Sequence, residues 1–511
     1  MKTSPTLIVL LALLAPVSSA FPAGESPSSR VISLRECVET ALRGNIDIAV
    51  SRTGRDIAAF GVPIEEAAFL PKFTGDLAYN RANSPSGSVL DGNLSLEQKD
   101  LRFNVGVRDL LPYGTALSLD FENQRQESGS SIALLSPQYL TALTLSARQP
   151  LLKNRGRQVT EAALAVARAG EAAKTGEWRE KVMEVVAAAR SAFFSLSAAH
   201  GEVEVRRSAL RLAERLLSEI EARIESGFAA PMDRLPADAA VASRREELIR
   251  AESQENNAMD GLKAALGVRT SGEWEERLVP EPLPGDPDPP GDNDTFEEAL
   301  RLRPEMSSLA ARRQQAEIQE AAARNRTLPS LDLTVSAGLS GLAGTPNPNP
   351  LFPVSSTAFS GNYRDSLDQM FSGRYYNWFV GLKSEIPWRF DREKAEWARA
   401  RSALEEQRLL GEGLELRIRA DVRKGRRDLE SSLERIAASR AFAAASSKKL
   451  EAEEKKLALG ASTAVEVLRF QQDLSEALLA EIRSLSDAHL AQTRLRRAVG
   501  NILDKEGIVI R

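Results

Sequence analysis

Residues 157–226 contain no proline, and a seven-residue stripe of Val182, Ala189, Leu196, Val203, Leu210, Leu217 and Ile224 runs along them. Residues 390–459 carry the same stripe in Val422, Leu429, Ile436, Ala443, Leu450 and Leu457. A sustained seven-residue period implies helices wound around one another with a left-handed supercoil. Each segment has about 70 residues and should reach roughly 105 Å at 1.5 Å per residue, beyond any compact domain. On the remaining faces Glu202, Glu204, Arg206, Arg207, Glu214 and Arg215 read as a solvated surface laced with ion pairs.

The second long segment is a copy of the first. The offset that carries Ala189 onto Val422 also carries Gly227 onto Gly460, Asp233 onto Glu466 and Gly267 onto Gly500. A second offset aligns Leu42 with Leu300 and Leu70-Pro71 with Leu328-Pro329. Two tandem structural repeats follow, each reading helix, strands, long helix, tip, shorter helix. The first occupies 21–279, with strands in 72–150, a long helix over 157–226 and a short helix over 233–267. The second occupies 295–511, with strands in 330–388, a long helix over 390–459 and a short helix over 463–500. Between them 280–294 reads PEPLPGDPDPPGDND; its six prolines predict an extended linker. Gly267 and Gly500 suit helix C-caps, where the left-handed conformation favours glycine.

Between the helices the period changes to two. Phe73, Gly75, Leu77 and Tyr79 alternate with polar or small residues. So do Leu101–Val107, Leu117–Phe121 and Tyr139–Leu145 in the first repeat, and Leu331–Leu339 and Tyr376–Leu382 in the second. The first repeat thus offers four β-segments and the second two. Segments of about ten alternating residues suit either transmembrane β-strands or a soluble β-domain with an aromatic core. All six tyrosines, with Trp378 and Trp388, lie in these two regions, and such residues favour the membrane interface. The polar stretches 82–98 and 343–374 read as extracellular loops.

The start of the chain reads as an export signal. Lys2 precedes an apolar run from Leu7 to Leu14, and small residues at Ser18 and Ala20 suggest cleavage after residue 20. No later stretch reads as a transmembrane helix. The net charge of −4 over 511 residues offers no basic surface for nucleic acid. One cysteine, Cys37, excludes an internal disulfide framework. Two histidines, His200 and His489, make a histidine-rich metal site unexpected.

With these features the chain resembles the TolC family of outer-membrane factors. The resemblance covers nearly all of the mature chain. Its motifs are Leu145-Ser-Ala-Arg-Gln-Pro-Leu-Leu152, the two Leu-Pro pairs, and Gly460-Ala-Ser-Thr-Ala-Val-Glu-Val-Leu468 with its partner Gly227–Leu235. It implies a mixed, mainly α fold. Three protomers would share a transmembrane β-barrel, continued through the periplasm by a long α-helical coiled-coil barrel. One chain's four to six strands cannot close a barrel alone, and strands in lipid cannot leave an open edge. The implied partners of this homotrimer are outer-membrane lipid, a periplasmic adaptor (membrane fusion) protein and an inner-membrane transporter of the RND, ABC or MFS type. The implied function is a passive exit duct for efflux or type I secretion.

In that family the helical tips meet the adaptor, and acidic residues narrow the entrance. The tip residues here are Gly227, Asp233, Gly460, Glu466 and Arg469. The family acid falls on Glu466, with Asp233 at the matching place in the first tip. Arg469 stands where the resemblance implies a second acid, three residues from Glu466 and within reach of an ion pair on the same helix face. The glycines equally serve to end helices, and Asp233 and Glu466 equally serve as first-turn acids.

No phosphate loop, dinucleotide fingerprint, serine elbow or zinc motif occurs, so no enzyme activity, cofactor or metal is expected. A soluble periplasmic coiled-coil scaffold or adaptor is the alternative. It would also be exported, but it needs neither two tyrosine-rich strand blocks nor a full tandem repeat.

Overall fold

A computed structural model describes residues 29–87, 94–228, 230–348 and 356–508. The export signal read at 1–20 lies outside the described residues, as do parts of the stretches 82–98 and 343–374. In chain order, β1 (Ser29–Ile32) leads into α1 (Leu34–Gly44) and α2 (Ile46–Glu66). Four strands follow, β2 (Lys72–Pro85), β3 (Ser95–Leu110), β4 (Ala116–Ser128) and β5 (Leu135–Pro150). A single turn, α3 (Arg157–Thr160), precedes the 64-residue α4 (Ala162–Glu225), and α5 (Arg234–Leu266) returns. Next come α6 (Ser271–Glu275), β6 (Arg277–Pro280), α7 (Phe296–Leu302), α8 (Pro304–Arg326), β7 (Ser330–Pro346), α9 (Tyr363–Phe371) and β8 (Tyr376–Glu385). The 68-residue α10 (Asp391–Ala458), then α11 (Ala464–Val499) and α12 (Ile502–Lys505), complete the described chain.

These elements form two units. One gathers residues up to Asn45, Ala188–Pro289 and Glu430–Ala491; the other gathers Ile46–Ala187, Pro290–Leu429 and the chain from Gln492 onward. The boundaries fall inside α4, α10 and α11.

In the first unit α1 starts where Ser33 Oγ accepts the Glu36 N–H at 3.1 Å, a capping contact that satisfies an orphan donor. It buries Cys37, Val38 and Ala41. β1 and β6 pair in parallel, Ser29 opposite Arg277 through Ile32 opposite Pro280. This small sheet has no counterpart in the sequence reading. The proline-rich stretch after β6 is tethered: Arg440 grips Asp286 with two bonds of 2.6 and 2.7 Å, and this pairing holds the Asp286 carboxyl below its usual range. Phe193, Phe194 and Leu196 are fully buried, and the His489 ring stacks on Phe194 at 4.7 Å and 13°. Buried Glu255 accepts from Arg277 at 3.0 Å and meets His200 Nδ1 at 2.6 Å, so the carboxylate is fully partnered.

Two glycines set a close approach in this unit. Gly267 ends α5 at φ +73°, and its N–H and that of Val268 bond the last-turn carbonyls of Ala264 and Lys263. A Cβ at Gly267 would lie 2.5 Å from the Gly44 carbonyl oxygen, a backbone atom that cannot swing aside. At Gly227, also left-handed at φ +75°, a Cβ would meet nothing within 4 Å. Gly227→Ala should therefore cost only about 1–2 kcal/mol of backbone strain, and Gly267→Ala clearly more. Paired thermal melts of the two variants check this; equal shifts would contradict it.

The second unit holds a six-stranded antiparallel sheet in the order β2-β3-β4-β5-β7-β8. The helical run before β2 stops at Leu70, which precedes Pro71 and is extended at φ −94°, ψ 142°. The stretch 343–374, read as a loop, instead contains the end of β7 and the helix α9. Asn362 caps α9 by accepting the Arg364 N–H at 2.9 Å. Ser366 and Met370 are buried beneath it, and Thr141 Oγ1 lies 2.9 Å from Ser366 Oγ. Gly341 permits this packing, because a Cβ there would strike the Ser366 backbone.

One further expectation is corrected. α4 does contain a stretch long and apolar enough by composition to cross a membrane. Within the protein 61% of that stretch is buried, so its alanines, valines and phenylalanines serve packing.

Candidate functional site

The sheet has two chemically distinct faces. Strand parity and register place Phe73, Leu77 and Tyr79 of β2 on the same face as Leu101, Phe103, Val105 and Val107 of β3. Pairing carries that face across Leu119 and Phe121, Leu143 and Leu145, Leu333 and Val335 to Trp378, Val380 and Leu382 of β8. Much of it is open: Phe73 is 80% exposed, Leu145 54% and Trp378 71%. An apolar patch this extensive on a folded chain needs a nonaqueous neighbour.

The opposite face is polar. Arg148 pairs with Asp332 at 2.6 Å, Arg102 with Asp100 at 2.8 Å, and Gln124 donates to Asp100 at 2.7 Å. Asn104 donates to Asp76 at 3.1 Å, and Ser118 to Asp120 at 2.9 Å. Charges of both signs line this side.

The apolar face ends at a charged border. Beyond Tyr79 and Leu101, Arg81 pairs with Glu97 at 2.6 Å and Lys99 with Glu127 at 3.3 Å, while Arg125 also meets Glu127. α9 lies on this same face at that border. There the Tyr363 hydroxyl donates to Asn123 at 2.7 Å and its ring meets Tyr139 edge-on. Sequence alternation located the strands but gave no sign of this helix.

The predicted tip residues lie in the first unit. Gly227 and Gly460 both end their helices in the left-handed conformation, at φ +75° and +74°. In each case two N–H groups close the last turn: Gly227 and Phe228 onto Ile224 and Arg223, Gly460 and Ala461 onto Leu457 and Lys456. Asp233 Oδ2 accepts the Ala230 N–H at 2.9 Å, fixing the entry into α5. Thr463 Oγ1 lies 3.4 Å from the Glu466 N–H at the start of α11. Glu466 and Arg469 are both exposed, and among the described residues no ion pair joins them. The pairing suggested by their spacing is therefore not made, and both charges face solvent.

A shared core brings the two tips together. Leu216 and Ile220 of α4, Ala237 of α5, Leu450 and Leu457 of α10 and Val467 of α11 form one buried cluster. Arg223 donates to the Leu457 carbonyl at 3.1 Å, satisfying one of the orphan acceptors at the end of α10. Around the two turns the apolar side chains of Phe228, Met232, Leu459 and Val465 are exposed, Phe228 to 87%. Sequence reasoning missed this group because single exposed hydrophobics carry no periodic signal.

Burial pushes the Cys37 thiol up to about 12, far from a reactive thiolate. Among the described residues no group of three or more His, Cys, Asp or Glu side chains is placed to hold a metal ion.

Comparison with solved structures finds the same fold. The outer-membrane channel OprN superposes with a TM-score of 0.66 at 16% identity, over 92% of this chain and 90% of that one. The Campylobacter jejuni CmeC outer membrane channel gives 0.64 at 15% identity, over 98% and 94%. The open-state Neisseria gonorrhoeae MtrE outer membrane channel gives 0.60 at 19%, over 91% and 88%. No curated protein sequence matches the chain. The sequence pattern of the outer membrane efflux proteins, however, matches residues 37–268 and 295–501. The chain therefore belongs to the outer membrane efflux protein family, whose members are outer-membrane channels extending into the periplasm.

Proposed function

We propose that this chain is the passive exit duct of a tripartite efflux or type I secretion pump. Three copies share one transmembrane barrel, and their helices, built as two tandem repeats, coil into a tube below it. The observation that carries this reading is the two-faced sheet with open edges. Its apolar band fits lipid. From Leu331 to Leu339 it runs roughly 27 Å along the strand, about 21 Å at a tilt near 40°, close to the ~25 Å band of outer-membrane barrels. Its polar face suits a water-filled lumen. The strict seven-residue burial of Val422, Leu429, Ile436, Ala443, Leu450 and Leu457 along α10 supports supercoiling.

The exposed apolar side chains at the two tips suit docking of a periplasmic adaptor. An inner-membrane transporter of the RND, ABC or MFS type supplies the energy, and this chain performs no enzymatic step. A soluble scaffold accounts for the helices but leaves the apolar sheet face in water. High-salt washing of membranes tests the choice: the channel stays bound and leaves only in detergent, whereas release by salt would refute it.

In this reading Glu466 and Asp233 contribute negative potential at the periplasmic entrance, partly offset by the unpaired Arg469. Glu466→Lys should lower cation-over-anion selectivity in reconstituted channels. Unchanged selectivity and conductance would remove Glu466 from the gate.

A further inference from the structure

We infer that the apolar side of β2, β3 and β4 carries a binding site for a phosphorylated lipid headgroup, built from Arg81, Lys99 and Arg125. The inference rests on the reading above, in which this face of the sheet meets lipid. The headgroup it fits is the phosphorylated sugar of an outer-leaflet glycolipid.

Position comes first. Parity puts all three cations on the apolar face. Arg81 follows Tyr79 by two residues on β2, Lys99 precedes Leu101 by two on β3, and Arg125 lies four beyond Phe121 on β4. Each therefore sits past the last large apolar side chain of its own strand, by roughly 7–14 Å at about 3.4 Å per residue. Cationic side chains so placed lay their stems along the apolar band and lift their heads to the polar interface. Tyr79 pairs across strands with Leu101, and Tyr139 with Arg125, so tyrosines flank the cations as they do at headgroup level. At the opposite ends of β2, β3 and β4 the residues on this face are Phe73, Asp109 and Leu117. The one charge there is an acid. On these strands the cations of the apolar face thus gather at one rim, the rim that points away from the periplasm in this reading.

Charge comes second. Arg81 and Lys99 are direct cross-strand partners, and like charges directly opposite one another destabilise a sheet. Two carboxylates serve the three cations. Glu97 meets Arg81 at 2.6 Å and Lys99 at 3.8 Å, while Glu127 meets Lys99 at 3.3 Å and also Arg125. Among the described residues no other acid forms an ion pair with them, so one positive charge is left over. At the edge of a low-dielectric medium that charge attracts an anion more strongly than it would in water. The heads are within reach of such an anion: the Arg81 side chain is 64% exposed, Lys99 35% and Arg125 38%. Each guanidinium carries five N–H donors in a fixed fork, more than a single carboxylate takes up. A phosphate seated among the three accepts charge-assisted bonds from the remaining donors and relieves the repulsion between Arg81 and Lys99. A headgroup without net negative charge leaves that repulsion in place.

The full-length oligomer in detergent tests the site, with purified lipid A as the probe and native mass spectrometry as the readout. The triple variant Arg81→Gln, Lys99→Gln, Arg125→Gln should bind lipid A at least about tenfold more weakly than the parent, as expected for losing hydrogen bonds to a charged group. Arg102→Gln, on the polar face, should bind as the parent does. Lipid A stripped of its phosphates should bind the parent no better than intact lipid A binds the triple variant. Equal binding by parent and triple variant, or of the two lipids by the parent, would overturn the site. Full displacement of lipid A by inorganic phosphate alone would overturn the lipid assignment and leave a site for a free anion. A second readout needs no variant: lipid A should raise the melting temperature of the parent and the dephosphorylated lipid should not. Equal melting shifts with the two lipids would count against the phosphate contact. Release of the parent from membranes by high salt is a separate result, and would sink the reading that this face meets lipid at all.

Discussion

An arginine placed at Val335 is expected to destabilise the membrane-inserted barrel by about 2–4 kcal/mol per chain, the cost of a cationic side chain at the bilayer midplane. Val335 sits midway along the apolar run of β7 from Leu331 to Leu339 and is exposed on the apolar face. Its neighbour Ser336 points to the polar face, level with Ser146 and Phe379. Ser336→Arg should leave insertion close to that of the parent, because on the proposed reading an extra cation on the polar face meets water rather than hydrocarbon. Folding titrations into lipid vesicles measure both. If the two variants lose the same stability, the assignment of faces is wrong.

The second large effect lies in the helical unit. Phe194→Ala should cost about 3–5 kcal/mol, the range for emptying a fully buried aromatic position. The ring has no exposed surface, meets Phe193 edge-on at 5.7 Å and stacks against His489. Those neighbours sit on rigid helices, so the cavity cannot collapse easily. Phe442→Ala makes the same truncation at a position 51% exposed and should stay within about 0.5 kcal/mol. Denaturant titration of the detergent-solubilised protein separates them; similar midpoints would contradict the packing described here.

Periodicity made most of this legible in the sequence. On α10 every residue of the stripe from Val422 to Leu457 is buried. On α4 the stripe is buried at Val182, Ala189, Leu196 and Val203, but then burial passes to Ala209, Ala213, Leu216 and Ile220. A straight helix drifts about 20° per heptad, so a strict seven-residue reading slides off the buried face after several turns. Strand alternation marked the apolar face residue by residue because parity survives any register.

What stayed hidden had no period to reveal it. β1 and β6 have four residues each, too short to alternate convincingly, and they pair across more than 240 positions of chain. α9 lies in a stretch of Ser, Gly and Asn whose composition reads as loop; its anchor is the absence of a side chain at Gly341, visible only in three dimensions. The resemblance pointed to Asp233 and Glu466 but gave nothing of their surroundings, since Arg223 reaching the Leu457 carbonyl joins residues far apart in the chain.

The central claim is that the polar face of this sheet encloses a continuous path through a lipid bilayer. Purified protein added to a planar lipid bilayer tests it directly. Discrete, stable conductance steps from the detergent-extracted oligomer are the predicted result. A protein that remains a monomer in water without detergent, and leaves the bilayer electrically silent, would contradict it.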